Sequence, residues 1–99
     1  MNEVVLAGRL VGRFARLADE TVHFRLEASA DQEPFHCYAE AVTGENLIKF
    51  CSAGDEISVE GELVYRKFTN SPKPTLLIHV RFISYGRKNR TLRLPGTSS

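Results

Sequence analysis

The sequence predicts an all-β domain, a five-stranded barrel with one short helix between its third and fourth strands. Three observations lead there. Apolar residues recur at every second position in several separate runs, which is the period of half-buried strands. One stretch near residues 44–52 spaces its apolar residues as a helix does instead. The run from Gly54 to Tyr85 reads as a single long twisted hairpin.

The elements follow in order. Asn2 to Val11 alternates, with Val4, Leu6, Gly8 and Leu10 on the core parity and Glu3, Val5, Ala7 and Arg9 facing out. Gly8 and Gly12 mark places where a barrel strand bends, and Arg13 to Leu17 can continue the strand past that kink. Ala18-Asp19-Glu20 makes a polar turn. Thr21 to Ala28 alternates again, burying Val22, Phe24, Leu26 and Ala28 and exposing His23, Arg25 and Glu27. After the acidic turn Ser29–Pro34, Phe35 to Val42 has strand propensity, but both of its faces hold candidates for burial, and period alone does not settle which faces in.

Thr43 is the expected N-cap of the helix, and Gly54 its C-terminal stop. In the hairpin, Ile57, Val59, Gly61, Leu63 and Tyr65 take the inward parity. Ser58, Glu60, Glu62, Val64, Arg66 and Phe68 take the outward one. Thr69 to Pro74 supplies the turn, because two prolines fix φ and Asn-Ser tolerates a tight backbone. The returning strand sets Leu76, Ile78, Val80 and Phe82 against Leu77, His79, Arg81 and Ile83, apolar on both faces. Three strands, a helix and a two-strand hairpin match the OB-fold, a five-stranded Greek-key barrel that commonly binds oligonucleotides. Residues 1–85 are therefore read as one OB-fold domain and 86–99 as a basic, flexible extension.

Charge is divided sharply along the chain. Residues 1–62 hold five basic side chains and all twelve acids, a balance of −7; residues 63–99 hold eight basic side chains and no acid. The net charge of +1 conceals this split. A phosphate chain responds to the local field, which is cationic at the hairpin tip and tail. There Arg66, Lys67, Lys73, Arg87 and Lys88 flank Phe68, and cations interleaved with an aromatic ring are what single-strand binding requires.

Other functions find little support. No Gly-rich phosphate loop, nucleophile elbow or carboxylate cluster at helical spacing is present, so no enzyme and no cofactor is expected. His23, His36, His79, Cys37 and Cys51 lack metal-ligand spacing. Two unpaired cysteines, no membrane-length run and no leader-like start point to a cytoplasmic, nucleoid-associated protein. The apolar surplus of the last strand, with Val5 and Val11 outward on the first, predicts a homodimer or homotetramer.

The residues also resemble a known family. MNEVVLAGRLVG, LEAS, PFHCYAEAV and above all GDEISVEGELVYRKF are similar to the bacterial single-stranded DNA-binding proteins, over most of residues 1–85. That resemblance implies a stacking role for Phe68 and Phe35, a cationic role for Arg66, and a place beside the binding face for Arg9. This chain departs from the family pattern at Glu3, where the family has Lys, and at Gln32, which aligns with a family Trp. Its strand-two to strand-three loop is short, and its end is basic where the family's is acidic. In these respects it is similar to the tail-less, dimeric primosomal replication protein N group. The expected function is binding of single-stranded DNA without strong sequence preference, in replication, repair or recombination. An RNA-binding OB module and a protein–protein adaptor for replication or repair proteins remain open as alternatives.

Overall fold

A computed structural model of the chain describes residues 2–68 and 72–86. Its elements are β1 (Val4–Arg16), β2 (Val22–Glu27), β3 (Phe35–Ala39), α1 (Ala41–Phe50), β4 (Glu56–Arg66) and β5 (Thr75–Tyr85). The strands close a barrel in the order β1-β2-β3-β5-β4, with β4 returning to pair with β1. All neighbours are antiparallel except β3 and β5, which run parallel. This is the OB-fold, as the sequence predicts.

Closure depends on the long first strand. β1 pairs with β4 through Val4–Arg9 and with β2 through Arg9–Arg16, so one strand serves both halves of the barrel. Between Val11 and Ala15 four steps of β1 face two of β2, from Arg25 to His23. Gly12, at φ +73, takes the left-handed conformation that such an irregularity needs and that other residues resist. The strand does continue past Gly12, and Phe14 packs against the core.

The core is filled by the inward parities: Leu10, Phe24, Leu26, Cys37, Ala39, Ile57, Val59, Ile78 and Val80. From α1, Leu47 is fully buried among them. Burying a leucine of this kind contributes about 1.5–3 kcal/mol. Ala28, expected inside, is exposed just beyond the end of β2.

Three expectations are corrected. The helix starts earlier than expected, because β3 ends at Ala39 and Glu40 alone separates it from α1. Ala41 and Val42 are therefore helical, Thr43 is not the cap, and Glu40 occupies the N-cap position without a side-chain capping bond. Its carboxylate is committed elsewhere, 3.1 Å from His79 Nε2. At the other end Cys51 is the C-cap, and Gly54, at φ 95, serves the following turn, where Asp55 Oδ2 accepts from the Ser52 N–H at 3.1 Å.

The second correction concerns β5. Glu60 pairs with Phe82 and Gly61 with Val80, so Arg81 is an extra residue that inverts the parity beyond it. Ile83 packs inward and Phe82 is 67% exposed, the reverse of the alternation expected from Ile78 and Val80. Gly61 makes this possible, since a Cβ there would lie 1.9 Å from the His79 carbonyl oxygen.

The third concerns the hairpin arm. β1 reaches β4 only as far as Gly61, and β3 reaches β5 only as far as Ile78. Beyond those points the arm is two strands with no core beneath, so Leu63, Tyr65 and Leu76, expected inside for β4 or apolar for β5, are exposed. The opposite face, with Arg66 and Phe68, bends over the outside of β2 and β3. Leu77 on that side is only 2% exposed.

Candidate nucleic-acid interface

The outer parity of the strands forms a row across the barrel. Ala15 of β1 pairs with His23 of β2, His23 with Tyr38 of β3, Tyr38 with His79 of β5, and His79 with Glu62 of β4. Adjacent strands lie about 4.8 Å apart, which is close to the spacing of stacked rings. The middle three side chains use it. His23 and Tyr38 stack with centroids 5.4 Å apart, and Tyr38 and His79 at 4.7 Å with planes 4° apart.

The arm closes over one end of this row. Phe68 meets His23 edge-on at 6.2 Å, and the Arg66 guanidinium carbon lies 5.3 Å from the Tyr38 ring centre and 5.9 Å from that of Phe68. Each such cation–ring contact is worth about 0.5–1 kcal/mol at an exposed site. Arg66 also reaches the β1–β2 turn, where its Nη2 lies 2.5 Å from Asp19 Oδ2. Asp19 Oδ1 accepts from the Thr21 hydroxyl at 2.6 Å and the Thr21 N–H at 3.1 Å. Those two bonds and Arg66 hold the Asp19 carboxyl well below the usual carboxylate range.

Two rings of this row, His23 and Tyr38, are uncharged at neutral pH. Burial pushes the His23 imidazole below its ordinary pKa, and the Arg66 charge adds to the effect. Burial likewise raises the Tyr38 phenol, against a smaller opposing pull from Arg66. Charges sit at the perimeter. His79 lies between Glu40 and Glu62, at 3.1 and 3.8 Å, and Arg81 Nη2 lies 2.8 Å from the same Glu62 oxygen. Among the described residues no three His, Cys, Asp or Glu side chains are arranged to hold a metal ion.

The sequence-predicted residues are distributed unevenly around this row. Arg66 and Phe68 come together at its end, with exposed Lys67 between them in the chain and exposed Lys73 on the returning side of the hairpin. Arg9 lies elsewhere, between its cross-strand neighbours Glu27 and Glu56. Along β2, Glu27 is four residues from His23, about 13 Å. Arg9 lines a shallow groove with Gly86, whose N–H donates to the Glu56 carbonyl at 2.9 Å, so the chain leaves β5 beside it. Phe35 pairs with Leu26 and shares the parity of buried Cys37 and Ala39. It is 42% exposed at the barrel rim, on the opposite parity to Tyr38. Arg87 and Lys88 lie outside the described residues, as does most of the tail.

Sequence reasoning missed His23, Tyr38 and His79 as a unit. The available signal was parity: each sits at an outward position of its strand, but only the register that places β3 beside β5 aligns them.

No family model and no curated protein sequence matches this chain. Solved structures do. The chain is similar to the mitochondrial single-stranded DNA-binding protein Rim1 of S. cerevisiae, with a TM-score of 0.70 and 14% identity over 88% of this chain and 96% of that one. A small single-stranded DNA-binding protein from Streptomyces coelicolor gives a TM-score of 0.66 and 19% identity over 85% and 91%. An SSB domain from Synechococcus sp. gives 0.68 and 14% over 86% and 96%. At these identities the likeness is one of fold.

Proposed function

We propose that this protein binds single-stranded DNA without strong sequence preference, where the β4–β5 arm meets the outer face of β2 and β3. The observation that carries the reading is the aromatic row His23–Tyr38–His79 with Phe68 and Arg66 over its end. The fold likeness to structures named as single-stranded DNA-binding proteins supports it. In the row the ring faces are turned to one another, whereas Phe68 is tilted 64° from His23, stacks on no ring among the described residues, and has Arg66 5.9 Å from its ring centre. Phe68 is then the platform for a base and the row is its rigid support. Stacking is sequence-tolerant because every base has a π-face. Lys67, Lys73 and the basic tail supply phosphate contacts.

The role is that of an accessory to replication, repair or recombination, in the cytoplasm and at the nucleoid. Self-association uses the opposite side of the barrel, where Val5 and Phe82, 70% and 67% exposed, flank Glu60 on neighbouring strands. A dimer there covers apolar surface that a monomer leaves wet.

A salt titration of binding to a fluorescein-labelled dT oligonucleotide, with the matching rU oligonucleotide beside it, tests the function. Binding to dT that weakens linearly on a log–log salt plot is expected. Preference for rU makes the protein an RNA binder, and no binding to either leaves the adaptor role.

A further inference from the structure

Among the described residues the cation set over the aromatic row, Arg66, is already occupied, and what occupies it is an anion of this chain. Arg66 pairs with Asp19 across the strand face, 47 positions apart in sequence. Asp19 is not a wandering surface carboxylate. The turn that carries it is closed by Glu20 N–H to Leu17 carbonyl and Leu17 N–H to Thr21 carbonyl bonds, each 2.9 Å. Glu20 adopts a φ of 67, and Thr21, which anchors Asp19 by two hydrogen bonds, is 7% exposed. The carboxylate is thus held in place whether or not Arg66 comes to it.

We infer that Asp19 stands in for a nucleic-acid phosphate, holding Arg66 over Tyr38 and Phe68 in the free protein and competing with the strand for it. The inference rests on the single-strand-binding reading above. Carboxylate and phosphate oxygens both accept charge-assisted hydrogen bonds from a guanidinium, so a phosphate oxygen can take the place of Asp19 Oδ2 without change of chemistry. The exchange is conservative for Asp19 too, because Thr21 continues to hydrogen-bond it after Arg66 leaves. Its consequence concerns counterions. The counterions released on binding come from the nucleic acid, and Asp19, left unpaired beside the bound strand, offsets the charge that Arg66 brings to the phosphate, so Arg66 contributes to binding while adding little to the salt dependence.

Asp19→Asn in the full chain tests this, since the amide oxygen still accepts from Thr21 while the charge is gone. Affinity for the dT oligonucleotide at low salt is expected to rise about two- to fivefold, the range that an exposed ion pair spans. The log–log salt slope should steepen by about 0.7, one added single-strand phosphate contact. In Asp19→Asn/Arg66→Ala the gain should vanish. Asp19→Ser, which also keeps an oxygen acceptor for the turn, repeats the measurement if the Asn variant melts early. Wild-type binding with an unchanged or weakened Asp19→Asn and Asp19→Ser overturns the competition and makes Asp19 a positioning residue for Arg66. If the wild type binds no oligonucleotide at all, the single-strand reading itself falls, and this inference with it.

Discussion

Tyr38 and His79 stand on parallel neighbouring strands and stack with ring centres 4.7 Å apart and planes 4° from parallel. The pair is pinned from the histidine side, where Glu40 and Glu62 lie on the two ring nitrogens, and from the tyrosine side, where His23 continues the stack. Glu40 is also the residue that separates β3 from α1. The same short junction therefore sets the helix start and the ring that orders this aromatic face.

Phe68→Ala removes the platform without removing charge. Affinity for dT should fall by about 1–3 kcal/mol while the salt slope stays as it is. Fluorescence anisotropy at several salt concentrations measures both. Should the variant unfold instead, the ring belongs to the fold and the stacking role is lost.

Truncation after Gly86 removes Arg87, Lys88, Arg90 and Arg93 and leaves every described strand. The melting temperature should be unchanged and the salt slope shallower by up to about 0.7 for each cation that meets a phosphate. A slope equal to that of the full chain would show the tail to be a bystander.

Gly61→Ala forces a methyl group against the His79 carbonyl oxygen, 1.9 Å away, at the position where the Arg81 bulge is made. The expected cost is about 3 kcal/mol, the upper part of the range for overpacking. Thermal unfolding reads it, since each kcal/mol moves the midpoint of a domain this size by about 4–8 °C. A midpoint within 2 °C or so of the wild type would mean the backbone yields freely there.

The lowered pKa of His23 makes stability depend on pH with a definite sign. The folded state resists a proton that the unfolded state accepts near 6.5, so protons favour unfolding. Stability should be complete above that value and decline as the pH falls below it, levelling off once the folded imidazole also protonates. The Asp19 contribution runs the same way but enters only below about 3.8, so the two windows separate. His23→Gln should flatten the melting temperature across the upper window; an unaltered profile would assign the effect to another group.

Much of this architecture was legible in the chain by itself. Alternation placed Val22, Phe24 and Leu26, and Ile57 and Val59, on the core side, because a strand has only two faces and water selects between them. The break at Gly12, the single helix and the long hairpin were equally local, set by backbone freedom and by period. Tertiary structure decided what depends on a neighbour. Strand three showed its inward face only when paired, because both of its parities were apolar enough to bury. Leu63 and Tyr65 kept the core period and still met solvent, since no strand continues beneath the arm. Arg81 carried no sign of a bulge, which arises from register with β4. His23, Tyr38 and His79 became one surface through side-by-side placement of strands distant in sequence, and Arg66 met Asp19 because the arm curls back over that surface. Period reports which side of its own strand a residue occupies; the partner across the sheet is set by how the strands are ordered.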